Sequence, residues 1–325
     1  MKGTRAMRLV VVVTVAAFAF AGTQAHAFTP MATVVTGGLG PTATAVDPST
    51  GTAYTTNMYS GTVTAIDASN VPVAPVPAGG GAPRDAAFDF STSTLFVAHF
   101  TGVSRFAAAG TLLTPLGTTP TASWTSGVAV NPLTNLVYAA MPAINTVAVI
   151  NGITGLLVTT IPVPGFPHHL AVDFTTGTLY VGQYTSSSLA VIDLLTNTVM
   201  ATIPICAAPR DVAVRWTTHR VYVACETTTS QVAVVTAGPP ASVTLVTVKG
   251  IPRAIDVDQS TGFAQVGVTY SGTTGAVIQI DPSLAVSGVL SAGGFPAGVE
   301  INWANGRSYI AEFGYTTGTT VDVIQ

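Results

Sequence analysis

Residues 167–205 read PHHLAVDFTTGTLYVGQYTSSSLAVIDLLTNTVMATIPI. His168 to Asp173 alternates, Thr175-Thr-Gly177 is a tight turn, and Leu179 to Gln183 is a second short run of β-forming residues. Ser188 to Asp193 and Thr198 to Ile205 follow, separated by Leu194-Leu-Thr-Asn197. Period-two alternation with Gly, Asn and Asp punctuation predicts four short strands joined by hairpins. No stretch of the chain sustains a helical period.

The phrase returns along the whole chain. Pro167 has counterparts at Pro41, Pro83, Thr125, Pro209, Pro252 and Pro296, at spacings of 42, 42, 42, 42, 43 and 44 residues. A repeat of ~40–45 residues made of four short strands predicts an all-β, seven-bladed β-propeller of four-stranded antiparallel blades. Thirteen residues after six anchors stands an aromatic (Tyr54, Phe96, Tyr138, Tyr180, Tyr222, Tyr309), with Gln265 the exception. These are read as packing residues. Asp67, Asn151, Asp193 and Asp281 close third strands and are read as turn residues. After Pro296 the chain supplies only three strands, while Met31 to Thr36 precedes the first anchor as an outer strand without a blade. Pairing it with Thr319 to Ile324 closes the ring and removes a sheet edge.

Pro followed by Ala-Val-Asp, a Thr-Gly turn, Tyr-Val, and a strand ending Val-Ile-Asp together resemble the YVTN/YncE-like family of β-propeller repeats. Leu179-Tyr-Val-Gly-Gln183 and Val221-Tyr-Val-Ala-Cys225 carry the likeness best, and it covers essentially all of residues 28–325. The family's Asn at the end of the second strand is kept only at Asn57. The resemblance implies a propeller like those of exported bacterial and archaeal surface proteins, and no particular reaction.

Lys2, Arg5 and Arg8, the apolar run Leu9 to Phe20, and Ala25-His26-Ala27 form a secretory signal peptide over residues 1–27. The run of ~12 apolar residues is too short for a membrane span of ~20. Residues 28–325 then read as one propeller domain, exported to the periplasm or the extracellular space and expected to be monomeric. Three of the 11 basic residues lie in the leader, leaving 8 against 14 acidic ones, which argues against nucleic acid as a partner. Charged residues are 8% of the chain, against ~25% in ordinary domains, so the surface is polar through hydroxyls and backbone. Cys206 and Cys225 fall where neighbouring blades bring strand ends to one face. A disulfide and two free thiols both fit that placement.

Propeller ligands usually meet the channel mouth. Immediately after the anchors stand Thr42, Arg84, Ser126, His168, Arg210, Arg253 and Ala297; sixteen residues after them stand Asn57, His99, Met141, Gln183, Cys225, Val268 and Glu312. As cross-strand neighbours, Arg84 would lie beside His99, His168 beside Gln183, and Ala297 beside Glu312. Three arginines and a histidine in one ring predict a cationic mouth for a small anionic ligand, or for another protein, at Arg84, His168, Arg210, Arg253, His99, Asn57, Gln183 and Glu312. The alternative for the arginines is a repeated loop in which Arg84 pairs with Asp85 and Arg210 with Asp211. No cofactor is expected. The alternative is a divalent metal at His99, His168 and Glu312 in a lyase or hydrolase, as in the streptogramin lyases, whose local motifs are not matched here. A third reading is a cell-surface structural or adhesion protein. His168 and His169, adjacent on a strand, are expected to face opposite ways. Trp124, Trp216 and Trp303 are read as sharing no blade position. No nucleophile elbow, phosphate loop or His-Glu-x-x-His is present, so an enzyme is not the favoured reading.

Overall fold

The structure, a computed structural model, describes residues 28–236, 241–270, 274–314 and 319–325. Residues 1–27, expected from the sequence to be a signal peptide, lie outside the described residues. Seven four-stranded antiparallel sheets follow one another along the chain as the blades of a propeller. Blade 4 shows the plan: Pro167–Asp173 innermost, then Thr178–Gln183, Ser188–Asp193 and Thr198–Pro204. Blade 1 departs most. Its outer strand shrinks to Val76–Pro77, within a run where Pro72, Pro75 and Pro77 withdraw ladder donors.

The ring closes as the missing strand predicts. Blade 7 takes Phe295–Asn302, Arg307–Phe313 and Thr320–Ile324 from the C-terminal end and Pro30–Val35 from the N-terminal end. Val34 opposes Val321 and Val35 opposes Thr320, while Thr29 and Gln325 exchange backbone hydrogen bonds beyond the strands. No edge strand is left at the seam.

Seven apolar clusters lie at the seven blade-to-blade contacts. Six carry one aromatic from the thirteenth position: Tyr54 packs with Phe88 and Leu95 of the next blade, and Tyr222 with Val257 and Val266. Between blades 6 and 7 the cluster is the small set Ala254, Val277, Val299, Ile310 and Ile324, because the seventh position holds Gln265. Its side-chain oxygen is buried without a partner. An amide cannot match the apolar area an aromatic ring buries.

The turn after six of the seven inner strands is set by a side chain; in blade 5 Arg215 stands there and its carbonyl accepts the Thr218 N–H. Asp47, Asp89, Asn131, Asp173, Asp258 and Asn302 each accept the backbone N–H two residues on. Asp67, Asn151, Asp193 and Asp281 do the same after third strands, the turn role expected of them.

Candidate functional site

The seven inner strands surround the channel axis, so the site is built from their first residues. In blade 2 the ladder starts only at Asp85, opposite Ala98. In five other blades the anchor proline itself, not the residue after it, opposes the sixteenth position: Pro41 faces Asn57, Pro167 faces Gln183, Pro209 faces Cys225, Pro252 faces Val268, Pro296 faces Glu312. A register shift follows in each of these five blades. The residue after the anchor thus sits in a bulge, re-aimed away from the ladder. The expected neighbours Arg84 with His99, His168 with Gln183 and Ala297 with Glu312 do not form as cross-strand pairs.

The sixteenth position instead faces the loop that leads into its own blade. Asn57 Nδ2 donates to Thr62 and Thr64, and Asn57 Oδ1 accepts from Thr36. His99 Nδ1 accepts the Thr101 N–H at 3.2 Å, which leaves Nε2 to donate to Ser104 Oγ at 2.8 Å. Burial pushes the His99 pKa down to about 4, so the ring is neutral. Gln183 Nε2 donates to the Pro164 carbonyl. A Cβ on Gly38 would run into Asn57, and one on Gly80 into the His99 ring, so these loops come close only as glycine. In blade 5 the contact is covalent: Cys225 is bonded to Cys206, with Cα atoms 6.0 Å apart. Glu312 is the odd member. It is 2% exposed, no side chain donates to either oxygen, and burial with Asp322 nearby raises its pKa to about 8 against the opposing pull of the Gly294 N–H.

The ring after the anchors divides by side-chain length. Thr42 donates to the Pro83 carbonyl and Ser126 to the His168 carbonyl. His168 Nδ1 meets the Arg210 carbonyl at 3.1 Å, so that nitrogen carries the proton. Burial, with His169 and Arg210 nearby, holds His168 well below the usual imidazole pKa. These short groups tie one blade to the next. The arginines cannot stop there and reach the rim. Arg210 Nη1 lies 2.7 Å from Glu226 Oε2, and Arg253 pairs with the other oxygen of the same carboxylate. Arg253 also covers the Phe295 ring at 4.7 Å. Arg84 lies over Trp124 at 4.8 Å, its Nε buried without a partner, and burial and Arg210 both lower its pKa. Among the described residues no carboxylate pairs with Arg84.

Asp85 and Asp211, the partners expected in the alternative reading, turn the other way. Asp85 accepts the N–H groups of Ala86 and, in the next blade, Val128. Asp211 accepts those of Val212 and Ile255, and Asp256 those of Val257 and Ile301. Each carboxylate therefore bridges two inner strands from inside the channel. Together with His169 and Glu300 they line a cavity of about 240 Å³ below the mouth. His169 stacks on His168, centroids 4.9 Å apart, and meets Asp211 at 3.0 Å. The bulge thus places both rings on one side, against the alternation expected of a regular strand. Burial disfavours the charge on His169, but Asp85 and the Asp211 hydrogen bond outweigh it and raise its pKa.

At the far end the channel meets rings. Phe90, Phe174, Trp216 and Trp303 all stand seven residues after their anchors. Their centroids form a closed circuit of 6.3, 5.3, 6.5 and 6.2 Å. Contacts from blade 2 to blades 4 and 7 skip a blade each way, so the rings converge across the axis and floor the channel. Trp216 and Trp303 therefore share a blade position; only Trp124 stands elsewhere. Sequence reading missed this ring by tracking tryptophan without phenylalanine. It missed the channel acids by following only the residue after each anchor.

His99, His168 and Glu312 stand in blades 2, 4 and 7 and do not converge: His99 is held by Ser104 of its own blade and His168 by the Arg210 carbonyl of the next. Among the described residues no group of three or more His, Cys, Asp or Glu side chains is disposed to hold a metal ion. No helix of the described residues is long and apolar enough to cross a membrane.

No protein-family model matches the chain, and no curated protein matches it in sequence. Solved structures do match in fold. Hydrazine synthase of Kuenenia stuttgartiensis aligns with a TM-score of 0.77 at 17% identity, over 94% of this chain and 98% of that one. A streptogramin B lyase gives 0.70 at 12%, over 89% and 94%. U3-55K gives 0.73 at 11%, over 91% and 99%. At these identities the likeness is one of fold.

Proposed function

We propose that the protein is an exported binding module of the YVTN/YncE-like kind, which holds a small anionic ligand at the arginine mouth. One observation carries the reading. Arg84, Arg210 and Arg253 gather at one rim, and Glu226 is the carboxylate shared by the latter two, while Arg84 has none. A carboxylate or phosphate supplies the missing charge, and the guanidinium fork suits planar oxyanions. Trp124 beneath Arg84 and Phe295 beneath Arg253 hold the forks in place. The leader-like start and the Cys206–Cys225 bond support an oxidising compartment, periplasmic or extracellular. A closed ring without a free sheet edge at its seam supports a monomer.

Calorimetric titration with hexanoate and with inorganic phosphate tests this. Binding that falls at least tenfold in Arg84→Ala, and further with Arg210→Ala, is expected. Affinity unchanged in the double variant removes the mouth as the site.

A further inference from the structure

Beneath the cationic rim the channel reverses sign. Asp85, Asp211, Asp256 and Glu300 come from blades 2, 5, 6 and 7 and face one cavity, with His169 of blade 4 as the cationic counterpart. The three aspartates are occupied by backbone N–H groups. Glu300 is not: it lines the cavity, is only partly buried, and its carboxylate takes no hydrogen bond among the described residues. Burial and the neighbouring Asp256, Asp85 and Asp211 push its pKa well above the usual range, and burial takes Asp256 to about 7. A carboxylate facing three others, with no protein donor of its own, suits a ligand that brings both positive charge and N–H groups.

From these features we infer that the ligand held by its anionic group at the mouth carries a primary ammonium on an aliphatic chain, which enters the channel and is bound at Glu300. This rests on the mouth reading for its anionic half. The donor count fits, because an ammonium brings three N–H groups to oxygens that otherwise lack donors. Ala43, Ala86, Ala87, Ala129 and Gly298 carry no long side chains, so the space between the acids stays open to a slender chain. The volume equals that of about eight waters, enough for a short linear chain. From the residue after the anchor to the fourth position is three residues of strand, a backbone separation of about 10 Å that keeps the cationic rim and the acidic cavity apart along the channel. A divalent metal fits less well, since the aspartates are spent on the blade seams.

The test compares 6-aminohexanoate, hexanoate and hexylamine by calorimetry, on the whole protein and on Glu300→Gln, a substitution of equal shape. The amino acid is expected to bind at least tenfold tighter than hexanoate near pH 7. It should also release a proton as Glu300 ionises, read from the dependence of the heat on buffer. Glu300→Gln should erase the advantage and the proton release while leaving hexanoate binding alone. Equal affinities for the amino acid and hexanoate, or an advantage that survives Glu300→Gln, overturns the inference and leaves the mouth reading standing. Hexylamine binding that depends on Glu300, with no Arg84-dependent hexanoate binding, keeps the channel site and removes the mouth. No binding of any probe at 10 mM removes both.

Discussion

The two ends of the channel use the same seven strands, six residues apart, and solve opposite problems. At the floor, Phe90, Phe174, Trp216 and Trp303 satisfy one another, ring against ring. At the mouth, Arg210 and Arg253 share the Glu226 carboxylate while none pairs with Arg84 among the described residues, and the charge balance is left open. Groups that complete each other contribute to stability; groups left incomplete contribute to recognition and are neutral or costly in the empty protein. The mouth side also holds the loop-facing ring, in which Glu312 is the member to which no side chain donates.

The largest effect is expected there. Glu312 binds a proton more tightly folded than unfolded, so its own contribution to stability is greatest below about pH 4.5 and falls as pH rises toward 8. Glu312→Gln should remove that fall, gaining on the order of 3–5 kcal/mol above pH 8 and little at pH 4, as read by denaturant unfolding. Equal gains at both pH values would place the effect outside ionisation. Reduction of Cys206–Cys225, or Cys225→Ser, should cost about 3 kcal/mol for a 19-residue separation, measured as a drop in Tm under reducing conditions. At the floor, Trp216→Ala should cost about 2 kcal/mol, less than a fully buried ring, and leave anion binding unchanged. Weakened hexanoate binding in that variant would show that the two ends are coupled. Smallest is Arg84→Ala, expected within about 0.5 kcal/mol of the parent in stability while it lowers anion affinity. A large loss of stability would move Arg84 from recognition to structure.

The fold was legible because a period of about 42 residues survives every substitution that keeps the strand pattern, including Thr125 for proline. The closing strand was legible because three strands after Pro296 leave one place unfilled. The mouth was readable only in part. Counting sixteen residues from each anchor finds Asn57, His99 and Gln183, but the bulge after the anchor decides where they face, and no residue type announces it. Asp85 beside Arg84 reads as an ion pair in one dimension. In the ring its carboxylate finds the Val128 N–H of the next blade, a partner 43 residues away. Glu300 and Asp256 stand at matching positions, yet nothing in either local sequence signals that both face one cavity.

The pairing of Pro30–Val35 with Thr320–Ile324 has a consequence for biogenesis. Pro30–Val35 precedes every other strand of the propeller and its partner follows all of them, so it is the last of these strands to be paired. Until then blade 7 has one strand too few and the growing chain is an open arc with two sticky ends. Loop closure on this scale makes ring formation the slow, late event. A chain cut short by a dozen residues would lose the clasp and not merely a tail.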